Sequence, residues 1–182
     1  MIESELKIPV AGLDRTRDRL DEVGACRVTS ARLEVNILFD TADGELASTH
    51  RVLRVRRFGD RTVITFKGPA HWTGAVKHRR EIEFDASSNE AAVELLNALG
   101  YAPWMRYEKI REHWTLGEVH VDLDHTPMGD FVEIEGPPDR LETTARRLGL
   151  EPDDAVAGSY ISLWTEHRKR QPGLGRDMIF DP

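Results

Sequence analysis

Residues 1–9 read Met1-Ile2-Glu3-Ser4-Glu5-Leu6-Lys7-Ile8-Pro9, and the alternation within this stretch decides the fold. Successive side chains of an extended strand point to opposite faces, so Glu3, Glu5 and Lys7 share one side. Ile2, Leu6 and Ile8 take the other. A single strand of this kind describes the solvated edge of many sheets. Here most later strands repeat it. Arg54 and Arg56 oppose Leu53 and Val55; Thr65 and Lys67 oppose Ile64 and Phe66. Arg79, Glu81 and Glu83 oppose Ile82 and Phe84, and Lys109, Arg111 and His113 oppose Ile110 and Trp114. His120, Asp122 and Asp124 oppose Val121 and Leu123, and Glu133 and Glu135 oppose Val132 and Ile134.

Working outward, period-two patterning predicts further strands over Arg32–Asp40, Arg51–Phe58 and Arg61–Lys67, the last two joined by a turn at Gly59-Asp60. Gly68-Pro69 is expected to end that hairpin in a loop carrying Trp72 and Gly74, before a strand over His78–Asp85. Tyr107–Leu116 and Glu118–Asp124 flank a turn at Gly117, and Phe131–Glu135 follows. In Arg32–Asp40, Leu33, Val35, Ile37 and Phe39 alternate with Glu34, Asn36, Leu38 and Asp40. Helical spacing marks Leu13–Val23, a segment from Ser87-Ser88 to Leu99, Arg140–Leu148 and Tyr160–Arg170. About eight strands joined mostly by tight turns must be antiparallel, which makes the class α+β. Eight twisted strands can close into a barrel. The helices then pack outside against the apolar faces, and the charged faces line a tunnel. The reading is one domain over 1–170 with a loosely held tail over 171–182.

Composition narrows the function. The chain has 182 residues, 40% hydrophobic and 31% charged, which suits a globular domain with a proper core. A net charge of -7 argues against a protein that works by binding nucleic acid, because neutralising phosphates needs a basic footprint. The one cysteine, Cys26, excludes an internal disulfide or multi-cysteine zinc site and is expected to be a small buried side chain. No apolar stretch approaches the roughly 20 residues of a membrane span, so a cytoplasmic protein without membrane contact is expected.

So many charges cannot be dry and unpaired, since burying each costs several kcal/mol. The tunnel is therefore expected to be wet and to hold ions. Clustered carboxylates call for hard cations such as Mg²⁺ or Mn²⁺, and clustered Arg and Lys for phosphate oxygens. Together they suit a metal-bound polyphosphate.

The motifs resemble those of the CYTH superfamily, the triphosphate tunnel metalloenzymes. Glu3-x-Glu5-x-Lys7 resembles its ExExK strand, and Phe39-Asp40-Thr41 its aromatic-Asp-Thr element. Leu53-Arg54-Val55-Arg56, Phe66-Lys67-Gly68-Pro69, Arg79-x-Glu81-x-Glu83, Lys109-x-Arg111, Asp122-x-Asp124 and Gly129-Asp130-Phe131-Val132-Glu133-Ile134-Glu135 follow in the family's order, and Ser159-Tyr160 resembles its last helix start. The resemblance implies an eight-stranded antiparallel tunnel that binds a small-molecule triphosphate with divalent metal. It implies Glu3, Glu5, Glu133 and Glu135 as metal ligands, with Asp122, Glu81 or Glu83 helping. Lys7, Arg54, Arg56, Lys67, Arg79, Lys109 and Arg111 would clamp phosphates, with Lys67, Arg54 and Arg56 carrying catalysis. Some family tripolyphosphatases place a catalytic tyrosine on the second strand; Arg32–Asp40 has Asn36 and no tyrosine.

Three readings stay open on sequence. The first is a metal-dependent hydrolase of tripolyphosphate, nucleoside triphosphate or thiamine triphosphate. The second is a class IV adenylyl cyclase making cyclic AMP and pyrophosphate. The third is a module that binds polyphosphate or nucleotide without turnover. The histidines show no paired metal spacing, although His113 and His120 fall on the tunnel face. Gly173-x-Gly175 lies in the tail and is no phosphate loop.

Overall fold

The alternation at the N-terminus closes on itself. In the computed structural model, which describes residues 2–181, β1 (Ile2–Val10) pairs on one side with β5 (Val76–Ala86) and on the other with β8 (Gly129–Glu135). Met1 and Pro182, the first residue of the expected strand and the last of the expected tail, lie outside the described residues. Between them run β2 (Cys26–Asp40), β3 (Val52–Phe58), β4 (Arg61–Thr73), β6 (Ala102–Leu116) and β7 (Val119–Thr126). All eight pair antiparallel in a closed barrel ordered β1-β5-β4-β3-β2-β6-β7-β8. The expected α+β barrel with outer helices is the fold observed. Gly59 and Gly117 sit at φ 59° and 62° in their two-residue turns, a conformation that other residues adopt at a cost.

The apolar faces point outward and are covered over most of the barrel, while Leu33 of β2 and Ile82 and Phe84 of β5 stay exposed. α1 (Asp14–Glu22) and α4 (Pro138–Arg147) bring Leu20, Leu141 and Ala145 onto Leu6, Ile8, Val121, Leu123, Val132 and Ile134. Ala92 and Leu96 of α3 (Asn89–Ala98) pack on Phe39, Leu53, Val55 and Ile64. The Ser88 side chain accepts from the Ala91 N–H and starts that helix, as the serine pair suggested. α5 (Tyr160–Arg170) opens on a capping box between Ser159 and Ser162, which fixes where Tyr160 enters the barrel end. Among the described residues no helix is long and apolar enough to cross a membrane.

Several boundaries differ from the sequence reading. β4 runs to Thr73 and β5 begins at Val76, so the expected Trp72 loop is the tip of a longer hairpin. A register shift between Lys67 and Ala70 absorbs Gly68-Pro69, because a bulge tolerates a residue without an N–H. One helical turn, α2 (Glu45–Ser48), is too short to show periodicity and is held by Asp40, whose carboxylate accepts from the Leu46 and Ala47 N–H groups at 2.8 and 2.9 Å. Cys26 is exposed rather than buried, at the start of a ribbon that extends beyond the apolar cover.

The tail is pinned. Met178 is fully buried, and its N–H and C=O bond to the Arg106 carbonyl at 3.0 Å and the Glu108 N–H at 2.7 Å. The Trp164 indole N–H donates to the Arg176 carbonyl at 3.0 Å. Met178→Ala is expected to lower stability by about 2–5 kcal/mol, read as a shift of the urea midpoint. An unshifted midpoint would mean that this residue is not docked in solution.

Candidate functional site

The charged faces meet in one cavity of about 700 Å³, within the size of small-molecule sites. β1 supplies Glu3, Glu5 and Lys7; β3 supplies Arg54 and Arg56; β4 supplies Lys67; β5 supplies Arg79, Glu81 and Glu83. Lys109 and Arg111 come from β6, Asp122 from β7, and Glu133 and Glu135 from β8. Every candidate residue of the sequence reading therefore lines the same space. His113 and His120 line it too, with rings stacked at 5.3 Å and His113 Nδ1 2.6 Å from Asp122. Trp72 is exposed and does not reach it.

Asp124 lies behind the lining, fully buried, and organises it. Arg111 donates to both its oxygens, at 2.7 and 2.6 Å, and also pairs with Asp122 and Glu133. Lys109 Nζ and the Tyr160 hydroxyl donate to Asp124 at 3.0 and 2.7 Å. Burial alone would raise the Asp124 carboxyl, but the charges of Arg111 and Lys109 hold it well below its ordinary value. Burial and then Asp124 push the Tyr160 hydroxyl well above its ordinary value, so it stays a donor. Its ring lies 4.1 Å beneath the Lys7 ammonium. Lys7 pairs with Glu133, yet burial outweighs its ion pairs and lowers it to about 7.

On the opposite wall Arg54 donates to the Tyr107 hydroxyl and Thr65, each at 3.1 Å, and shares Glu83 with Arg56 at 3.3 Å. Lys67 is bound to Glu81, while burial and then Arg54 lower its pKa. Lys77 holds Glu5 at 2.7 Å. Burial raises the Glu5 carboxyl, but Lys7 and Lys77 bring it well below its ordinary value. Arg79 reaches the lining with its guanidinium on the carbonyls of Gly68 and His50; His50 is the one non-glycine at positive φ, 56°, among the described residues.

Glu3 and Glu135 have no ion pair within 4 Å among the described residues. Burial, a hydrogen bond with Glu81 and the charge of Glu135 push Glu3 up to about 8. Burial, with Glu5 and Asp122 nearby, raises Glu135 as well. Five carboxylates, Glu3, Glu5, Glu81, Asp122 and Glu135, crowded until one keeps its proton form a donor set that a divalent cation would relieve. Among the described residues none are already drawn together as a metal cage, since the others are held in ion pairs.

The charge pattern did not single out Glu34, Asn36, Lys77, Tyr107 or Tyr160. Glu34 is almost fully buried, 3.6 Å from Lys109 and 4.0 Å from Arg56. Burial opposes its ionisation, but Lys109, Arg111 and Arg56 bring it from 4.5 to about 2, worth roughly 3 kcal/mol. A depressed carboxylate stabilises fully above its unfolded value and loses that contribution as pH falls through about 2. Glu34→Gln is therefore expected to lower unfolding free energy by that order at pH 7, with the difference from wild type shrinking below pH 4.5. A difference that urea titration finds constant from pH 7 to 3 would contradict this.

A family model, the CYTH domain, matches residues 1–160. A candidate adenylate cyclase from Vibrio parahaemolyticus superposes with a TM-score of 0.81 at 21% identity, covering 91% of this chain and 98% of that one. A protein from Pyrococcus horikoshii gives 0.73 at 26% identity, over 88% and 98%. A candidate adenylyl cyclase from Hippeastrum, described as having a dominant triphosphatase activity, gives 0.65 at 19% identity, over 91% and 96%. No curated protein matches the chain.

Proposed function

The chain belongs to the CYTH domain family, and from that premise we propose that it is a divalent-metal-dependent hydrolase of triphosphate-containing small molecules. The observation that carries the reading is the cavity itself. One tunnel holds a band of Arg and Lys and, against it, carboxylates so crowded that Glu3 retains its proton to about pH 8. A phosphate-binding module would need the cations alone.

The donor set fits Mg²⁺ or Mn²⁺. Glu3, Glu5, Glu133 and Glu135 would hold the ion, with Glu81, Glu83 or Asp122 beside them. When bound it would neutralise phosphate charge. Lys7, Lys67 and Lys77 are each held by one of these carboxylates, so binding of cation and triphosphate is expected to reinforce each other. Lys7, Arg79, Lys109 and Arg111 would clamp the phosphate chain. Arg54, Arg56 and Lys67 would face the transferring phosphoryl group, where fixed positive charge stabilises the transition state more than the ground state. The Hippeastrum likeness is one of fold, and the hydrolase reading rests on the tunnel.

Incubation with tripolyphosphate, ATP or thiamine triphosphate, each with Mg²⁺ or Mn²⁺ and with chelator, tests it. Orthophosphate that requires the metal and disappears in Glu133→Gln is the expected result. Cyclic AMP with pyrophosphate would establish the cyclase instead, and tight binding without products a binding module.

A further inference from the structure

The outer face of β1, β5 and β4 carries a row of three polar side chains that the tunnel does not use. Ser4 of β1 is directly opposite His78 of β5, and His78 is directly opposite His71 of β4. Ser4 interrupts the apolar face of β1 between Ile2 and Leu6, and it is buried. Lys77 and Arg79, on either side of His78, line the tunnel, so His78 and its two partners face outward.

The bulge at Gly68-Pro69 makes the row. Lys67 lines the tunnel, so plain alternation along β4 would turn His71 inward as well. The register shift between Lys67 and Ala70 reverses that parity and sets His71 against His78. Their rings stack with centroids 5.1 Å apart and planes 22° apart. Ser4 Oγ lies 2.8 Å from Nδ1 of His78. That bond accounts for Ser4 and for one nitrogen of His78. It leaves Nε2 of His78 and both nitrogens of His71 without a hydrogen bond among the described residues.

We propose that His71 and His78 form an outer-face chelate for a borderline transition-metal dication, Cu²⁺, Ni²⁺ or Zn²⁺, with water completing the coordination. Imidazole nitrogen suits these ions, whereas the carboxylates inside the barrel suit hard cations. A nitrogen bonds Zn²⁺ at about 2.0–2.1 Å, so two ligands of one ion are at most about 4 Å apart. Rings already stacked across one register position reach that by a small turn of each. Binding through Nε2 of His78 places the ring's one hydrogen on Nδ1, where Ser4 Oγ accepts it. A partner of this kind fixes the tautomer and orientation of a metal-bound histidine. His113 and His120 also stack, but His113 is opposite Asp122 and its Nδ1 is bound there. The proposal does not depend on the hydrolase reading.

The probe is Cu²⁺–iminodiacetate, whose chelator leaves the ion free positions for two imidazoles and disfavours further carboxylates. Titration of the full chain, followed by electron paramagnetic resonance, is expected to show one complex per chain with coupling to two imidazole rings. His71 is exposed, so His71→Gln leaves the fold untouched. It is expected to weaken binding about a hundredfold or more by removing a chelate partner, as is His78→Gln. Ser4→Ala is expected to weaken it about tenfold. His113→Gln and His120→Gln are expected to bind as wild type does. No complex with wild type, coupling to one ring only, or unchanged binding in His71→Gln overturns the proposal. Loss of the complex in His113→Gln assigns it to the tunnel pair and overturns it too.

Discussion

Arg111→Met is expected to lower unfolding free energy by about 3–5 kcal/mol and to abolish turnover. The guanidinium is nearly buried and meets three carboxylates, those of Asp122, Asp124 and Glu133. Methionine matches its bulk but leaves that group with Lys109 and Lys7 as its remaining strong cations. Removing one partner from a buried network costs more than the pair contributed, because desolvated charge is left uncompensated. Arg111→Lys is expected to recover less than half of the loss. One ammonium cannot donate in parallel to both oxygens of Asp124 while still reaching Asp122. Urea titration of the three proteins reads the result. A lysine variant as stable as wild type would show that charge, not the planar fork, organises this wall.

The second large effect falls on rate. Arg54→Ala is expected to reduce kcat roughly 10³-fold, in the range found when one donor to a transition-state oxyanion or phosphoryl group is removed. Arg54 is held before substrate arrives by Tyr107, Thr65 and Glu83, so its charge needs no rearrangement at the moment of transfer. The fold should tolerate the change, because Glu83 keeps Arg56 at 3.3 Å. Arg54→Lys is expected to restore little. Steady-state kinetics with tripolyphosphate separates the cases: a rise in KM with kcat retained would make Arg54 a ground-state clamp.

How much of this was readable follows from the range of each signal. Faces such as Arg54/Arg56 against Leu53/Val55 depend only on neighbours two residues apart, and the candidate charges so assigned line the cavity, except Asp124, which is fully buried just behind it. Cys26–Ala31 escaped because that part of β2 is exposed on both faces and shows no alternation. Lys77 escaped with it, one position before the expected start of its strand, although it shares parity with Arg79. Tyr107 and Tyr160 are uncharged, and what matters in them is the partner: Arg54 for one, Asp124 for the other. Those partners are set by register between strands and by the entry of α5, which no local pattern carries. The same holds for Asn36, visible as a polar position whose bond to Glu34 no local pattern carries.

The most direct measurement is hydrolysis of tripolyphosphate with Mg²⁺ in ¹⁸O-enriched water, with products resolved by mass. The account predicts orthophosphate carrying one solvent oxygen per turnover and unlabelled pyrophosphate, formed roughly 10³-fold more slowly by Arg54→Ala. Orthophosphate without solvent oxygen, or no metal-dependent release from any triphosphate, would contradict it.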